Sequence, residues 1–279
     1  MITEKLIMIK TVWTAYFSPT ETTKKVVGHI AANIAKSMDK PVRQFDFTPS
    51  QERERPMIFQ PEDLVIFGLP VYAGRVPNVL FKFLDAMEGN SALAVPIVLF
   101  GNRNYDDALI ELCTIMENKC FHTIAAAAFI GEHSFSKVLA KGRPDDADLA
   151  LATDFAEKVT GIIKEGKITA PVHVRGETPV RPYYQPRNQL GEPMEIRKVR
   201  SKVLDTCIGC GLCAKVCPMD SIDPDNVHNY VNICIKCGSC IKKCPAQARY
   251  YDDENYLYHR LDLEETYTRR AEPELFFGK

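Results

Sequence analysis

The chain has 279 residues, of which 46% are hydrophobic and 25% charged, and its formal net charge is −1. This length suggests one or two domains with an ample core, and a balanced charge without a long basic run argues against a nucleic-acid-binding protein. No apolar stretch approaches the roughly 18 residues of a membrane span. The apolar part of the opening MITEKLIMIK is too short for a secretory signal, so we expect a cytoplasmic protein.

Residues 1–168 alternate between strand and helix patterns. The predicted strands are 8–17, 42–47, 64–70, 94–100 and 121–130. Several are continuous apolar runs, which is typical of parallel strands covered on both faces. The first predicted helix has an apolar face, and three more helices follow at 77–87, 104–119 and 145–165, the last with Asp145 or Asp146 as its N-cap. Five strands alternating with helices predict an α/β fold with a doubly wound parallel sheet.

The segment YFSPTETTKK, residues 16–25, leads from the first predicted strand into the first helix. Its hydroxyl side chains crowd a tight turn before a helix N-terminus, an arrangement that offers backbone amides to an anion such as phosphate. Glu21 is the unexpected residue, because a carboxylate about 4 Å from a unit negative charge is repelled by roughly 4 kcal/mol at an effective dielectric of about 20. We therefore expect Glu21 to turn to solvent and to pair with Lys24 or Lys25.

Two further loops follow predicted strands, GLPVYAGRVPN (68–78) and FGNRNYDDAL (100–109). In doubly wound sheets ligands bind outside the carboxyl ends of the strands, so these loops converge with the first. A phosphate-binding turn and two aromatic-bearing loops fit flavin mononucleotide (FMN), which joins a planar ring to a phosphate. The candidate FMN-binding residues are Ser18, Thr20, Glu21, Thr22, Thr23, Pro70, Val71, Tyr72, Ala73, Gly74, Gly101, Asn102, Arg103, Asn104 and Tyr105.

Several of these positions have structural alternatives. Tyr72 and Tyr105 either flank the flavin or pack between loop and helix. Arg75 either contacts the flavin or is a solvated charge, and His133 in GEHSFS (131–136) either lies near the flavin or only satisfies loop hydrogen bonds. No GxGxxG motif is present, so a nicotinamide dinucleotide site has no sequence support.

The region after residue 168 divides into a linker, a cysteine-rich domain and a tail. Residues 169–200 carry five prolines and no sustained periodicity, which predicts an extended linker. Tyr183 and Tyr184 indicate that this linker lies against a surface. The cysteine-rich domain is predicted at 201–250. The tail, 251–279, contains YLYHRLDL, which either packs back on the body or stays solvated.

Eight of the ten cysteines lie between residues 201 and 250, in two runs of the same spacing, C-x2-C-x2-C-x3-C-P. This is the bacterial ferredoxin spacing for a [4Fe–4S] cluster, and its duplication predicts two clusters. The fourth cysteine of each run serves the other cluster. The predicted ligands are Cys207, Cys210, Cys213 and Cys244 for the first cluster, and Cys234, Cys237, Cys240 and Cys217 for the second.

The alternative for these cysteines is structural zinc, since paired CxxC motifs also build zinc ribbons. Zinc ribbons lack the third closely spaced cysteine and the Cys-Pro repeated in register, so the spacing favours iron–sulfur clusters. The two remaining cysteines, Cys113 and Cys120, are predicted core thiols, because unpaired cysteine behaves as a small buried hydrophobe.

The cysteine-rich region resembles a bacterial-type two-cluster ferredoxin, a small α+β domain. The first domain resembles a flavodoxin, whose phosphate loop reads Ser/Thr-x-Thr-Gly-x-Thr; Ser18, Thr20 and Thr23 match it, and Glu21 replaces the glycine. Over about residues 8–250 the chain is similar to fusions of a flavodoxin-like domain with a C-terminal ferredoxin that occur in anaerobes. This resemblance implies that Tyr72 and Tyr105 flank the isoalloxazine ring of FMN. It also implies that the polar edge of the ring meets backbone groups of Ala73, Gly74 and residues 102–104.

The resulting hypothesis is an electron-transfer flavoprotein that exchanges electrons between two [4Fe–4S] clusters and FMN and links low-potential redox proteins. A competing hypothesis is a reductase whose FMN reduces a small molecule held under Tyr105 and the 131–136 loop. A third retains the first domain as a docking module without flavin. Because the flavin itself carries redox chemistry and no pair of titratable residues marks a substrate site, the sequence leaves these alternatives open.

Overall fold

The computed structural model describes residues 8–166 and 168–278. Its main sheet contains the strands β1 (Thr11–Tyr16), β2 (Val42–Asp46), β3 (Asp63–Pro70), β4 (Leu93–Phe100), β5 (His122–Thr123) and β6 (Ala125–Ile130). They pair in parallel in the order β2-β1-β3-β4-β6, and the short β5 also lies beside β4. This is the flavodoxin-like strand order, which reverses between β1 and β3, so the predicted fold class is confirmed.

Helices cover both faces of this sheet: α1 (Thr22–Met38), α2 (Phe81–Asp85), α3 (Ala108–Asn118) and α4 (Asp146–Glu165). The helices α1 and α4 share one apolar core with sheet residues such as Ile66, and α2 and α3 share the other with residues such as Phe67. Asp145 is the N-cap of α4, as predicted, because its carboxylate accepts the amide of Asp148. No helix within the described residues is long and apolar enough to cross a bilayer.

Four predicted elements differ from the structure by more than one residue at a boundary or in continuity. The strand predicted at 8–17 is β1, which begins at Thr11, and the strand predicted at 121–130 is interrupted at Ile124. The helix predicted at 77–87 is a 3-10 turn, Asn78–Leu80, followed by the short α2. The helix predicted at 104–119 begins only at Ala108, because Asn102 and Asp106 adopt positive φ angles that a right-handed helix excludes.

The cysteine-rich region forms a small unit after the linker. Its strands β7 (Lys202–Val203) and β8 (Arg249–Tyr250) pair antiparallel. The short helices α5 (Leu212–Lys215) and α6 (Ser239–Lys242) each begin directly after a glycine with a left-handed backbone conformation. The two cysteine runs therefore each supply one loop and one helical turn.

The tail packs back on the body. Helix α7 (Glu254–Thr266) buries Tyr256, His259 and Leu263. Strand β9 (Glu274–Phe277) then pairs antiparallel with β6. The parallel sheet predicted from the sequence thus gains an antiparallel edge strand, an addition that is common in α/β proteins.

The linker lies on the first domain. Arg181 holds the buried carboxylate of Asp107, with Nε 2.8 Å from Oδ2. The hydroxyl of Tyr183 donates to the carbonyl of Val76 at 2.7 Å, and the amide of Tyr184 donates to the carbonyl of Ala73 at 2.8 Å. Both tyrosines therefore fix the linker to a surface, as expected.

Candidate cofactor site

The first group of predicted ligands surrounds one cavity. Cys207, Cys210 and Cys213 come from the first run, and Cys244 comes from the end of the second; all four line the same space. The amide of Ala248 lies 3.3 Å from the Cys244 sulfur as a hydrogen-bond donor. The structure therefore brings together three thiols of one run and the last thiol of the other.

The second group surrounds a separate cavity in the mirrored arrangement. It is lined by Cys234, Cys237 and Cys240 together with Cys217 of the first run. The amide of Ser221 donates to the Cys217 sulfur at 3.2 Å, and the amide of Lys236 donates to the Cys234 sulfur at 3.4 Å. Backbone donors to cysteine sulfur are a feature of iron–sulfur sites.

These two cavities fit the chemistry of cubane clusters. Each offers four thiols around a space rather than at one point. Across residues 8–166 and 168–278, no group of three His, Cys, Asp or Glu side chains converges on a single metal ion. Burial raises the pKa of the Cys237 thiol, and it raises that of Cys240 to about 11. Such thiols are expected to be protonated until a metal displaces the proton.

A third cleft lies at the carboxyl ends of the strands, next to the second thiol cavity. Seven of the candidate FMN-binding residues line it: Thr20, Thr22, Thr23, Pro70, Val71, Tyr72 and Gly101. The segment 131–134 and Cys237 also line it. The cleft is where the flavodoxin-like topology places a ligand.

The turn before α1 supplies the anion-binding features of this cleft. Ser18 is buried, its Oγ accepts the amide of Lys24 at 3.0 Å, and its own amide donates to Thr48 at 2.7 Å. Ser18 therefore shapes the turn rather than facing the cleft. Thr22 and Thr23 form the first turn of α1, where amides have no helical acceptor and the helix dipole is positive. These two residues fit the phosphate role.

Glu21 is turned away from the cleft, as expected, but it does not face solvent alone. It has φ 67°, and its carboxylate lies 3.3 Å from Lys24 Nζ and 2.7 Å from Lys243 Nζ of the cysteine-rich region. Partial burial raises the pKa of Glu21, yet Lys243 and then Lys24 bring it below its ordinary value. Lys25, the other expected partner, donates instead to the carbonyl of Pro144 at 2.8 Å.

The second cysteine loop is docked on the cleft by further contacts. The buried Ser239 hydroxyl donates to the carbonyl of Pro19 at 2.8 Å. Lys242 Nζ lies 2.6 Å from a carboxylate oxygen of Glu132. A Cβ added to Gly238 would lie 2.7 Å from the carbonyl oxygen of Ser134. This loop therefore contacts two segments that line the cleft.

Tyr72 stands between the cleft and the second thiol cavity. It lines the cleft, and burial raises the pKa of its phenol well above the ordinary value, with further contributions from the nearby thiols of Cys237 and Cys234. Its position fits a ring that flanks a flavin on the side of the second cavity.

The structure does not bring Tyr105 to the cleft. Its ring is buried, its hydroxyl donates to Glu274 of β9 at 2.7 Å, and the guanidinium of Arg175 lies 4.9 Å from the ring centre. Tyr105 therefore packs against the tail in this structure, and its contact with a flavin stays a prediction. Tyr105 takes this position because the tail returns to the sheet and supplies its hydrogen-bond partner, Glu274.

The neighbouring candidates also serve the tail and the linker. The side-chain amide of Asn102 donates to the carbonyls of Tyr267 and Arg269 at 2.8 and 2.7 Å. The guanidinium of Arg103 lies 4.4 Å from the ring centre of Tyr184, and Asn104 Oδ1 accepts the amide of Asp106 at 2.9 Å. None of these three side chains lines the cleft in the structure.

The remaining candidates from the second loop are occupied in a similar way. The carbonyl of Ala73 accepts from the linker, and the carbonyl of Gly74 accepts the amide of Asp107 at 3.1 Å. Arg75 forms a two-pronged ion pair with Glu111, with Nε–Oε2 2.8 Å and Nη2–Oε1 2.5 Å. Arg75 is thus neither a flavin contact nor a solvated charge.

His133 lines the cleft and also accepts a loop hydrogen bond, and its position near a flavin stays a prediction. Its Nδ1 accepts the amide of Phe135 at 3.1 Å. Burial, and then the charges of His259, Lys242 and Arg103, lower the pKa of His133 to about 3. The neutral ring therefore carries its proton on Nε2.

Comparison with known proteins locates the cysteine-rich region. Residues 206–249 match the family model of a 4Fe-4S dicluster domain. The chain joins a dicluster domain to a flavodoxin-like fold. No curated protein matches the chain.

Solved structures with similarity to the chain include three flavin-related proteins. A flavodoxin from the domain Archaea has 15% identity and a TM-score of 0.40, over 55% of this chain and 99% of its own. An NADH:FMN oxidoreductase in its apo form has 13% identity and a TM-score of 0.41, over 58% of this chain and 91% of its own. A Fusobacterium nucleatum flavodoxin bound to flavin mononucleotide has 12% identity and a TM-score of 0.36, over 58% of this chain and 99% of its own. The fold assignment itself rests on the strand order, because these scores are low.

The contacts between the dicluster domain and the cleft were missed from the sequence. Lys242 and Lys243 directly precede the ligand Cys244, and their partners Glu132 and Glu21 lie more than 100 residues earlier in the chain. The adjacent pair of lysines is a sequence feature that could have indicated an acidic partner, but the sequence does not identify that partner. Cys237 was considered only as a ligand.

Proposed function

We propose that the chain transfers electrons between two [4Fe–4S] clusters and an FMN held in the cleft. The match to a dicluster domain and the flavodoxin-like fold support a redox electron-transfer role. The number of clusters, the identity of the flavin and the electron route are the parts we propose.

The observation that carries the proposal is the shared position of Cys237. This residue lines the second thiol cavity and also the cleft. A cluster bound by Cys237 therefore lies beside the ligand of the cleft, with Tyr72 at the boundary. Short separation is what electron transfer between two bound groups requires, and here a single side chain belongs to both sites.

The first thiol cavity is the outer site. Cys210 is exposed, and Ile208, which directly follows Cys207, is 68% exposed. An apolar exposed side chain beside a cluster ligand suits a brief contact with another redox protein. We propose that electrons pass between such a partner and the first cluster, then to the second cluster and the flavin.

The residues of the cleft divide the binding of FMN among them. The amides and hydroxyls of Thr22 and Thr23 would hold its phosphate, Tyr72 would lie along the ring, and the Nε2–H of His133 would provide a fixed donor. FMN supplies one- and two-electron chemistry when bound. The second cysteine loop contacts the lining of this cleft at Pro19 and Glu132.

The small-molecule reductase is less well supported. It required space under Tyr105 and the 131–136 loop. Tyr105 is buried under the tail, and the 131–136 loop is packed against Gly238 of the dicluster domain. We therefore favour the carrier, and the docking module without flavin becomes an outcome of the test.

The experiment is anaerobic purification followed by flavin, iron and sulfide analysis and by photoreduction with a soluble dye. We expect one FMN and about eight irons per chain, and we expect clusters and flavin to be reduced in sequence within single molecules, at a rate independent of protein concentration. Clusters without flavin, even after incubation with excess FMN, would support the docking module instead. A rate proportional to protein concentration would contradict the internal route.

A further inference from the structure

Arg249 is a buried cation with no carboxylate partner among the residues that the structure describes. It is 4% exposed. Its Nη1 donates to the hydroxyl oxygens of Ser201 and Tyr230 at 2.9 and 3.1 Å, and its Nη2 donates to the carbonyl of Val227. All these acceptors are neutral. A buried charge is costly unless an opposite charge lies nearby, so the site calls for an anion.

One donor of this guanidinium is also unused. The Nε–H of Arg249 is buried and has no hydrogen-bond acceptor within the part of the chain that the structure describes. Arg249 lines the cavity of the first four thiols. An anion in the cavity of the first four thiols would therefore supply both the opposite charge and the acceptor for the Nε–H of Arg249.

We propose that Arg249 is the counter-ion of the first cluster and donates its Nε–H to that cluster's sulfur shell. This inference rests on the proposed function, in which the first cavity holds a [4Fe–4S] cluster. Such a cluster with four thiolates is anionic, and its sulfurs accept hydrogen bonds. Net charge and hydrogen bonds to sulfur set the reduction potential of a cluster. Because reduction adds a negative charge, Arg249 stabilises the reduced form and raises the potential.

The effect should be larger at the first cluster than at the second. Arg249 lines the first cavity, whereas the second is lined by Tyr230, one of its hydrogen-bond partners. The three remaining donor contacts fix the guanidinium plane, which lets the Nε–H keep one direction. Arg249 therefore distinguishes two clusters whose ligand spacings are identical.

The test is film voltammetry of the full holoprotein, which resolves one reduction wave for each cluster. Cys210→Ser marks the wave of the first cluster, because it changes one of that cluster's ligands. We expect Arg249→Gln to lower the potential of the marked wave and to move the other wave less. Arg249→Lys keeps the charge but loses the planar donor, so we expect a smaller fall in the same wave.

Arg200 provides a matched control. Its guanidinium lies 5.7 Å from the ring centre of Tyr230, and that of Arg249 lies 5.8 Å from the same centre, yet Arg200 does not line the first cavity. Arg200→Gln should leave the marked wave in place. An unshifted marked wave in Arg249→Lys and in any Arg249→Gln protein that retains its iron would overturn the inference, and so would an equal shift in Arg200→Gln. Wild-type protein that assembles no pair of clusters would instead contradict the proposed function.

Discussion

Lys243 places its ammonium group 2.7 Å from the carboxylate of Glu21, and so joins the residue before the predicted ligand Cys244 to the residue that precedes helix α1. The pair connects the dicluster domain to the turn that we assign to the FMN phosphate. It also explains how a carboxylate is tolerated in such a turn, because its charge is directed at two lysines instead of at the cleft.

Removing this charge should therefore change flavin affinity little. We expect Glu21→Gln to leave the Kd for FMN within about twofold, since exposed pairs contribute about 0–1 kcal/mol. Glu21→Gly should tighten binding by no more than about 1–2 kcal/mol, because glycine eases the approach of the backbone to the phosphate and removes the residual repulsion, and the gain should shrink as the salt concentration rises. Titration of the flavin-free protein with FMN at low and high salt measures both. Glu62→Gln, in a surface pair with Lys10, is the control, and weaker binding by Glu21→Gly would contradict our account of the turn.

Two glycines with similar backbones separate docking from local strain. Gly238 has φ +77° and Gly209 has φ +64°, but only a Cβ at Gly238 would meet a neighbour, the Ser134 carbonyl at 2.7 Å. Alanine at either position should cost about 1–2 kcal/mol of backbone strain. We expect only Gly238→Ala to slow flavin reduction by the clusters, because it pushes the second cluster loop away from the cleft. Equal slowing in both variants, at equal iron content, would show that docking is not the cause.

The two tyrosines of the flavin hypothesis should now behave differently. Tyr72→Ala is expected to weaken FMN binding and to shift the flavin potential, since Tyr72 lines the cleft. Tyr105→Phe removes only the hydroxyl that donates to Glu274, so it should lower stability by about 0.5–1.5 kcal/mol and leave the flavin potential unchanged. Urea unfolding and a redox titration of each variant decide this. A changed flavin potential in Tyr105→Phe would restore that residue to the site.

His133 should make the protein less stable in mild acid. Its pKa is lowered from 6.5 to about 3 in the folded chain, so below pH 6.5 the unfolded state binds a proton that the folded state does not. Stability therefore falls as the pH falls through this window, by about 2 kcal/mol at pH 5 relative to neutral pH. His133→Gln should lose less stability between pH 7.5 and 5 in anaerobic urea titrations. Parallel pH profiles for the variant and the wild type would contradict this.

The crossing of the fourth ligand can be tested directly. Cys217 lines the second cavity although it belongs to the first run. We expect Cys217→Ala to damage the second cluster and to spare the first, as judged by iron content and by EPR of the reduced protein. Cys113→Ala removes a buried thiol outside both cavities and should keep full iron content. Loss confined to the first cluster would reverse the assignment.

The sequence predicted best those features that depend on local spacing. The alternation of apolar runs and amphipathic segments predicted the fold class, a doubly wound parallel sheet. The cap at Asp145 marked the start of α4. The grouping of thiols into two sets followed from the cysteine spacing, because each loop is short. These features need no knowledge of distant parts of the chain.

The features that the sequence did not predict depend on distant parts of the chain. Tyr105 looked like a flavin ligand because its partner Glu274 lies 169 residues later. Glu111, which forms an ion pair with Arg75, lies 36 residues later in the chain on another element. The strand β9 is four residues long, too short to give a clear alternating pattern. In each case a long-range contact decided where the side chain points.

The pairing of β9 with β6 also has a consequence for the integrity of the protein outside its redox role. Strand β6 reads AAAAFI and every one of its residues is buried. Without β9 its open edge would expose unpaired amides and carbonyls on a wholly apolar strand, which is a template for association between copies of a chain. The segment that carries the chain back from the dicluster domain thus guards the sheet against aggregation. A molecule shortened after the last cysteine would keep all its cofactor ligands and yet lose that protection.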